Sequence, residues 1–296
     1  MRRLAATLAL LIPLTLGSLA GGAAAAPDLE PYRGLGTWID IYDDAQLKAP
    51  EATVARIQAR GVRTLYLETA NFKQSRDVVR PDRLSRLLDA AHARGIAVVA
   101  WYLPSFRAGG RDLRRSMAAI NFRSAGGEAF DSFALDIEWS GVRPVSLRNR
   151  RALELSRRLR AAVGTDYALG AIIPNPRGME LRRDYWRAFP YAELAGVYDV
   201  FVPMVYSTYR GDGPAVVARD VTRSMTILRT ATGRPDVPVH LIGGLGDELS
   251  GAEARAFARL VGTLRPHGWS LYDFSVTAPS AWAALRALGR SPGGRP

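Results

Sequence analysis

The chain has 296 residues, no cysteine and a formal charge of +12, from 40 basic and 28 acidic side chains. The absence of cysteine excludes disulfides, thiol nucleophiles and cysteine-ligated metals, and a chain of this length buries roughly three quarters of its unfolded surface without staples. All of the basic residues except Lys48 and Lys73 are arginine. Arginine spread over helix faces reflects base composition first, and attraction to anionic cell-wall polymers or acidic glycans second. No aromatic–basic motif of a nucleic-acid reader appears, so nucleic acid is not an expected partner.

Residues 1–26 read as a secretory signal peptide. Arg2 and Arg3 give the basic start, residues 4–16 the apolar stretch, and Ala24, Ala25 and Ala26 the small-residue cleavage site before Pro27. The apolar part falls short of a membrane span, and no later stretch reaches the ~20 apolar residues required. The expectation is a secreted, extracellular or cell-wall-associated monomer, with no stable membrane insertion once the signal is cleaved.

Residues 27–33 read as a lead-in. Eight short apolar runs rich in Val, Ile, Leu and aromatics then follow at 36–41, 63–68, 96–102, 132–138, 167–173, 200–206, 237–243 and 269–274. That composition suits strands buried on both faces. The intervening helices carry legible signals. Pro81 opens one whose Leu84, Leu87, Leu88 and Ala91 follow the helical period, and Gly95 closes it. Ser250 and Glu253 form a capping box ahead of Phe257, Ala258 and Val261. Gly61 and Gly95, each after Ala-Arg, end their helices one unit apart.

Eight alternating units with short loops predict an α/β protein, a single (β/α)8 TIM barrel over residues 34–288, with a disordered tail at 289–296. An open doubly wound sheet would want a glycine-rich phosphate turn after its first strand. The chain instead has Asp40, Ile41, Tyr42, Asp43 and Asp44 there, an acidic loop that repels phosphate.

Barrel sites form at the C-terminal ends of the strands. Those ends bring Asp40, Glu68, Asn71, Trp101, Tyr102, Asp136, Glu138, Trp139, Asn175, Met204, Tyr206, Tyr272 and Asp273. Carboxylates and amides bind sugar hydroxyls, and ring faces stack on the apolar side of a pyranose. Asp136 and Glu138, two apart on one strand, project to the same side about 7 Å apart along the chain. With Asp136 beside it in a poorly solvated cleft, Glu138 is expected to keep its proton as a general acid. A second carboxylate from Asp40, Glu68 or Asp273 would allow either stereochemical course, according to the gap between them.

The fourth run, Asp131 to Glu138, resembles the D-x-x-D-x-D-x-E signature of glycoside hydrolase family 18, the chitinase-like barrels. Asp131 takes the first place, Asp136 the third and Glu138 the last. The sixth run, with Met204 and Tyr206, resembles that family's M-x-Y strand. The resemblance implies that Glu138 protonates the glycosidic oxygen, that Asp136 orients an N-acetyl group whose carbonyl attacks the anomeric carbon, and that Tyr206 holds that group. The strand-end residues Asp40, Glu68, Trp101, Trp139, Asn175, Met204, Tyr272 and Asp273 are expected to bind the substrate, a polysaccharide or cell-wall glycan, with no cofactor. The chain departs from the pattern at Ala134, where the middle aspartate is expected, and at Ser132, Ser207 and Tyr272. It is also similar to glycosidase-like exported barrels of actinobacteria, and its D-x-E strand is compatible with family-25 muramidase-like barrels.

Two other readings stay open. Asp40, Glu68, Asp136 and Glu138 together suit a hard divalent cation, as in barrel lyases and phosphodiesterases. Ala134 and Ser207 suit a non-catalytic glycan binder built on a hydrolase barrel. His92, His240 and His267 have no zinc-site spacing and read as structural. The glycines at 243, 244 and 246 read as a tight turn, since Asp247 and Glu248 follow.

Overall fold

The eight strands are β1 (Gly34–Ile39), β2 (Thr64–Asn71), β3 (Ala97–Leu103), β4 (Ser132–Asp136), β5 (Leu169–Pro174), β6 (Val200–Met204), β7 (His240–Leu245) and β8 (Gly268–Tyr272). Each pairs in parallel with the next, and β8 returns to β1 through Gly34 opposite Gly268, so the sheet closes as a barrel. Residues 26–288 are described by the structure, a computed structural model of the chain. The leader expected at 1–26 lies, but for Ala26, outside the described residues, as does the tail expected at 289–296.

Among the described residues ten helices link or follow the strands: α1 (Asp44–Lys48), α2 (Pro50–Ala59), α3 (Pro81–His92), α4 (Arg111–Ile120), α5 (Val145–Val163), α6 (Pro176–Leu181), α7 (Tyr191–Ala195), α8 (Pro214–Thr232), α9 (Gly251–Leu264) and α10 (Pro279–Leu288). Pro81 starts α3, and the capping box starts α9, where the Glu253 carboxylate accepts from the Ser250 amide at 2.8 Å. Gly61 and Gly95 take φ values of +75° and +67°, the left-handed turn that lets each helix end and the next strand begin. Among the described residues no helix is long and apolar enough to cross a membrane.

Period-two alternation sorts the strand residues into two cores. Leu35, Leu65, Leu67, Val98, Ala100, Phe133, Leu135 and Leu241 face outward and pack under the helices. Trp38, Tyr66, Val99, Trp101, Ala134, Ile172, Val202 and Ile242 face inward. Tyr102 falls in the outward set, where its hydroxyl donates to buried Asp112 of α4 at 2.7 Å, so it takes no part in the barrel mouth.

The barrel floor is closed by a short 3-10 turn, Glu30–Tyr32, that inserts the fully buried Tyr32 ring. Its hydroxyl donates to Phe133 O at 3.0 Å and accepts from Ser132 Oγ at 2.8 Å. Neighbouring positions stay small to admit it. A Cβ on Gly170 would meet Tyr32 Oη at 2.6 Å, and one on Gly268 would meet Tyr32 O at 2.2 Å. Above it runs a saturated chain. Trp38 Nε1 donates to Ser270 Oγ at 2.9 Å, Ser270 Oγ lies 3.0 Å from His240 Nε2, and His240 Nδ1 reaches Tyr32 O at 3.0 Å. A carbonyl only accepts, so Nδ1 carries a proton, and burial keeps Nε2 unprotonated and the ring neutral. Burial pushes its pKa down to about 3.

Candidate active site

β4 ends at Asp136, and the Ile137 amide still donates to Ile172 O at 2.7 Å. This continuation keeps the alternation running one step past the strand. Ile137 packs outward, and Asp136 and Glu138 both turn to the mouth. Two clefts open there. An axial cleft of about 340 Å³ lies over the barrel and is lined by Asp40, Tyr42, Glu68, Asn71, Lys73, Trp101, Leu103, Asp136, Leu245 and Tyr272. A lateral cleft of about 370 Å³ lies over the loops after β5 and β6 and is lined by Pro174, Asn175, Gly178, Met179, Leu181, Arg182, Tyr185 and Arg210. Glu138, Met204, Tyr206 and Tyr209 line both, so Glu138 stands on the boundary.

Asp136 is buried, and its Oδ1 has no partner among the described residues. Burial raises its pKa well above the carboxylate range, and the neighbouring Glu138 and Glu68 raise it further. Burial also raises Glu138, which is the more exposed of the two. Both carboxylates therefore resist ionising, and a proton held by the pair is shared between them.

Glu68 accepts from the Ile41 amide and from Asn71 Nδ2, each at 3.1 Å, yet burial pushes it up to about 7. Buried Arg115 fixes the loop that carries Asn71, donating to Asn71 O at 2.7 Å and to Gln74 O. Asp40 accepts from the Tyr272 hydroxyl at 2.8 Å and from the Tyr42 amide at 2.7 Å. Burial raises the Tyr206 phenol, helped by Glu138 and Asp136. Arg210 holds the Tyr206 backbone, donating to its carbonyl at 2.6 Å while pairing with buried Asp220. Tyr185 donates to Glu138 O at 2.9 Å, and Arg148 secures Tyr185 O at 2.6 Å.

Of the residues expected from the sequence, Asp40, Glu68, Trp101, Asp136, Glu138, Met204, Tyr206 and Tyr272 meet at the axial cleft, and Asn175 lines the lateral one. Trp139 lines neither. Its ring packs 4.4 Å from Phe72, centroid to centroid, because the chain turns outward after Glu138. Asp273 also lines neither cleft, since its carboxylate caps the next turn and accepts from the Ser275 amide at 2.7 Å. Asp131, first in the signature, lies at the opposite end of β4, where it accepts from the Val98 amide at 2.7 Å and meets His92 at 2.9 Å. Ala134 is fully buried opposite Trp101, so no carboxylate stands beneath Asp136 on this strand. Tyr185, Tyr209, Arg182 and Arg210 escaped sequence reasoning. They lie in the longer loops after β5 and β6, with no motif or periodicity to mark them.

Among the described residues the carboxylates close enough to share a cation are Asp40, Asp43 and Asp273, with ligand atoms within 4.8 Å, and not the set Asp40, Glu68, Asp136 and Glu138. Their oxygens already serve local turns. Asp43 accepts from the Asp40 amide at 3.0 Å, and burial pushes it up to about 6. The glycine run after β7 also has a packing cause. A Cβ on Gly243 would meet the Phe257 ring at 2.5 Å, and one on Gly246 would meet Thr277 Oγ1 at 2.2 Å.

No protein-family model matches the chain, and no curated protein matches it in sequence. Solved structures do share its architecture. The endo-β-1,4-mannanase from Thermotoga petrophila is similar with a TM-score of 0.68 at 11% identity, over 92% of this chain and 80% of that one. A class V chitinase from Pseudomonas fluorescens Pf-5 gives 0.61 at 13% identity, over 87% and 100%. The spore cortex-lytic enzyme SleL of Bacillus cereus gives 0.61 at 8% identity, over 86% and 74%. At these identities the likeness is one of fold.

Proposed function

We propose that this chain is an exported hydrolase that cleaves an amino-sugar-containing or cell-wall glycan, working as a monomer without metal or cofactor. The observation that carries this reading is the position of Glu138 on the boundary of two clefts, with Asp136 lining only one of them. A glycosidic bond laid across that boundary puts one sugar in each cleft and its linking oxygen at the acid. The similar barrels include a mannanase and a chitinase, which supports glycan chemistry on this architecture.

The reacting sugar occupies the axial cleft, over Trp101 and Tyr272. As positive charge develops at its anomeric carbon, ionised Asp136 becomes favourable, and the proton of the pair is then best held by Glu138. Glu138 gives that proton to the glycosidic oxygen, the carbon–oxygen bond breaks, and its electron pair leaves with the departing sugar. Asp136 and the Tyr206 hydroxyl hold the group that stabilises the anomeric carbon; in an N-acetylated sugar this is the acetamido carbonyl. Water then adds at that carbon and returns its proton to Glu138.

Glu138→Gln keeps the shape and removes the proton, so cleavage falls about 10²–10⁴-fold while folding and sugar binding persist. Product analysis on chitin oligomers, peptidoglycan and acidic amino-sugar polymers checks this. Turnover unchanged in the variant removes the mechanism. Ala134 favours one competing reading, a glycan binder without catalysis, which predicts oligosaccharide binding and no product from either protein.

A further inference from the structure

The two clefts differ in charge. The axial one has four carboxylates, Asp40, Glu68, Asp136 and Glu138, against Lys73. The lateral one has Arg182 and Arg210 and no acid except the shared Glu138. Arg182 is exposed and enters no ion pair among the described residues. Arg210 commits Nε to Asp220 and Nη2 to Tyr206 O, which leaves Nη1. That nitrogen lies over Gly178, where even a Cβ would stand only 3.3 Å away. Asn175 supplies a third donor. Its Oδ1 accepts from the Gly178 amide at 3.1 Å and from Ser224 Oγ at 2.9 Å, which fixes the amide's orientation. Its Nδ2 is left without a partner on a residue only 9% exposed, an arrangement that calls for an acceptor.

We infer that the lateral cleft is a subsite for a carboxylate-bearing sugar, recognised by Arg182, Arg210 Nη1 and Asn175 Nδ2. The inference rests on the hydrolase reading for its direction. Asp136 lines the axial cleft alone, so the reacting sugar belongs there and the acidic sugar is the leaving group. A guanidinium fork matches a carboxylate in two parallel hydrogen bonds, and an amide donor completes its coordination. Tyr185, Tyr209 and Met179 supply the apolar wall for the sugar ring. A carboxylate bound beside Glu138 also favours that residue's protonated form, the form cleavage requires. Uronic acids and the lactyl ether of a muramic sugar both offer this chemistry.

The test compares two acidic substrates with their carboxyl-reduced counterparts, peptide-free peptidoglycan strands and oligouronates, in the wild type and Arg182→Gln. The expected result is a preference of about tenfold or more in kcat/KM for one acid over its reduced form, carried mainly by KM. The acid that shows it identifies the source of the carboxylate. Arg182→Gln should shrink that ratio severalfold. Equal turnover of both acids and their reduced forms overturns the inference, and so does a preference that Arg182→Gln leaves unmoved. Titration of Glu138→Gln with the same ligands reads the subsite without turnover. Acid-selective binding with no cleavage by the wild type would sink the hydrolase reading and keep the anionic subsite, whereas cleavage without acid selectivity would do the reverse.

Discussion

Gly170→Ala should destabilise the protein far from the mouth, and the floor geometry sets the size of the effect. The new methyl carbon would stand 2.6 Å from Tyr32 Oη, 2.8 Å from Cε1 and 2.9 Å from Cζ, all inside contact distance. The ring has no easy retreat. Its hydroxyl bonds Phe133 O and Ser132 Oγ, and its carbonyl receives His240 Nδ1. Overpacking a core costs about 1–3 kcal/mol, and displacing the phenol forfeits two hydrogen bonds at ~0.5–1.5 kcal/mol each, so about 2–6 kcal/mol is expected. Urea unfolding measures the difference, and glycan turnover per folded molecule, read beside it, should hold. Tyr32→Ala removes the obstacle, so Gly170→Ala should cost far less in that background than alone. Additive costs in the two backgrounds, or a single-variant loss below about 0.5 kcal/mol, would refute the role assigned to Tyr32.

Three further outcomes follow from the electrostatics. Asp136→Asn removes the carboxylate beside Glu138, so the alkaline limb of the pH–rate profile should move to lower pH as the rate falls; an unmoved limb would mean that the two groups do not share a proton. His92 is raised from 6.5 to about 9 by its hydrogen bonds to Asp131 and Glu128. Since the folded value exceeds the unfolded one, its stabilisation is complete below about 6.5 and fades as the pH climbs through about 9. Melting temperatures of the wild type and His92→Gln should converge over that interval, and a gap constant with pH would exclude the ion triad. Chelator treatment should leave glycan cleavage unchanged, because the clustered Asp40 and Asp43 oxygens already accept local amides and a phenol; loss of activity restored by a divalent cation would favour the metal reading.

The barrel was legible because every strand carries a dense apolar run and every helix boundary read above has a chemical marker. Gly61, Gly95, Pro81 and the Ser250–Glu253 box all act where their chemistry suggested. Strand phase was harder. Both faces of a barrel strand are buried, so hydrophobicity alone does not separate Trp101, which faces the axis, from Tyr102, which bonds Asp112 in the helical layer. Strand ends were overrun for a related reason. Glu138 and Tyr206 lie past the ladders of β4 and β6, yet they continue the inward alternation that Asp136 and Met204 begin. The lateral cleft was invisible because its walls come from irregular loops, where Tyr185 and Arg182 are placed by Arg148 and by the end of α6.

Tension in this barrel is distributed unevenly between its two ends. On the floor, Trp38, Ser270, His240 and Tyr32 satisfy one another in an unbroken chain, and the glycines opposite them remove every spare methyl group. At the mouth, Asp136 keeps an unpartnered oxygen, Glu68 is pushed up to about 7 despite two hydrogen bonds, and Tyr206 faces two carboxylates. Buried hydroxyls go unpartnered toward the floor too, at Thr64 and Tyr66, but those are neutral groups, whereas Asp136 is a carboxyl group that an arginine beside it would pair. Such an arginine would also fix that carboxylate in its charged form and leave no proton to pass to Glu138. On the proposed reading the unpaired oxygen and the transferable proton are two consequences of one omission, and an arginine substituted beside Asp136 should stabilise the protein while abolishing glycan cleavage.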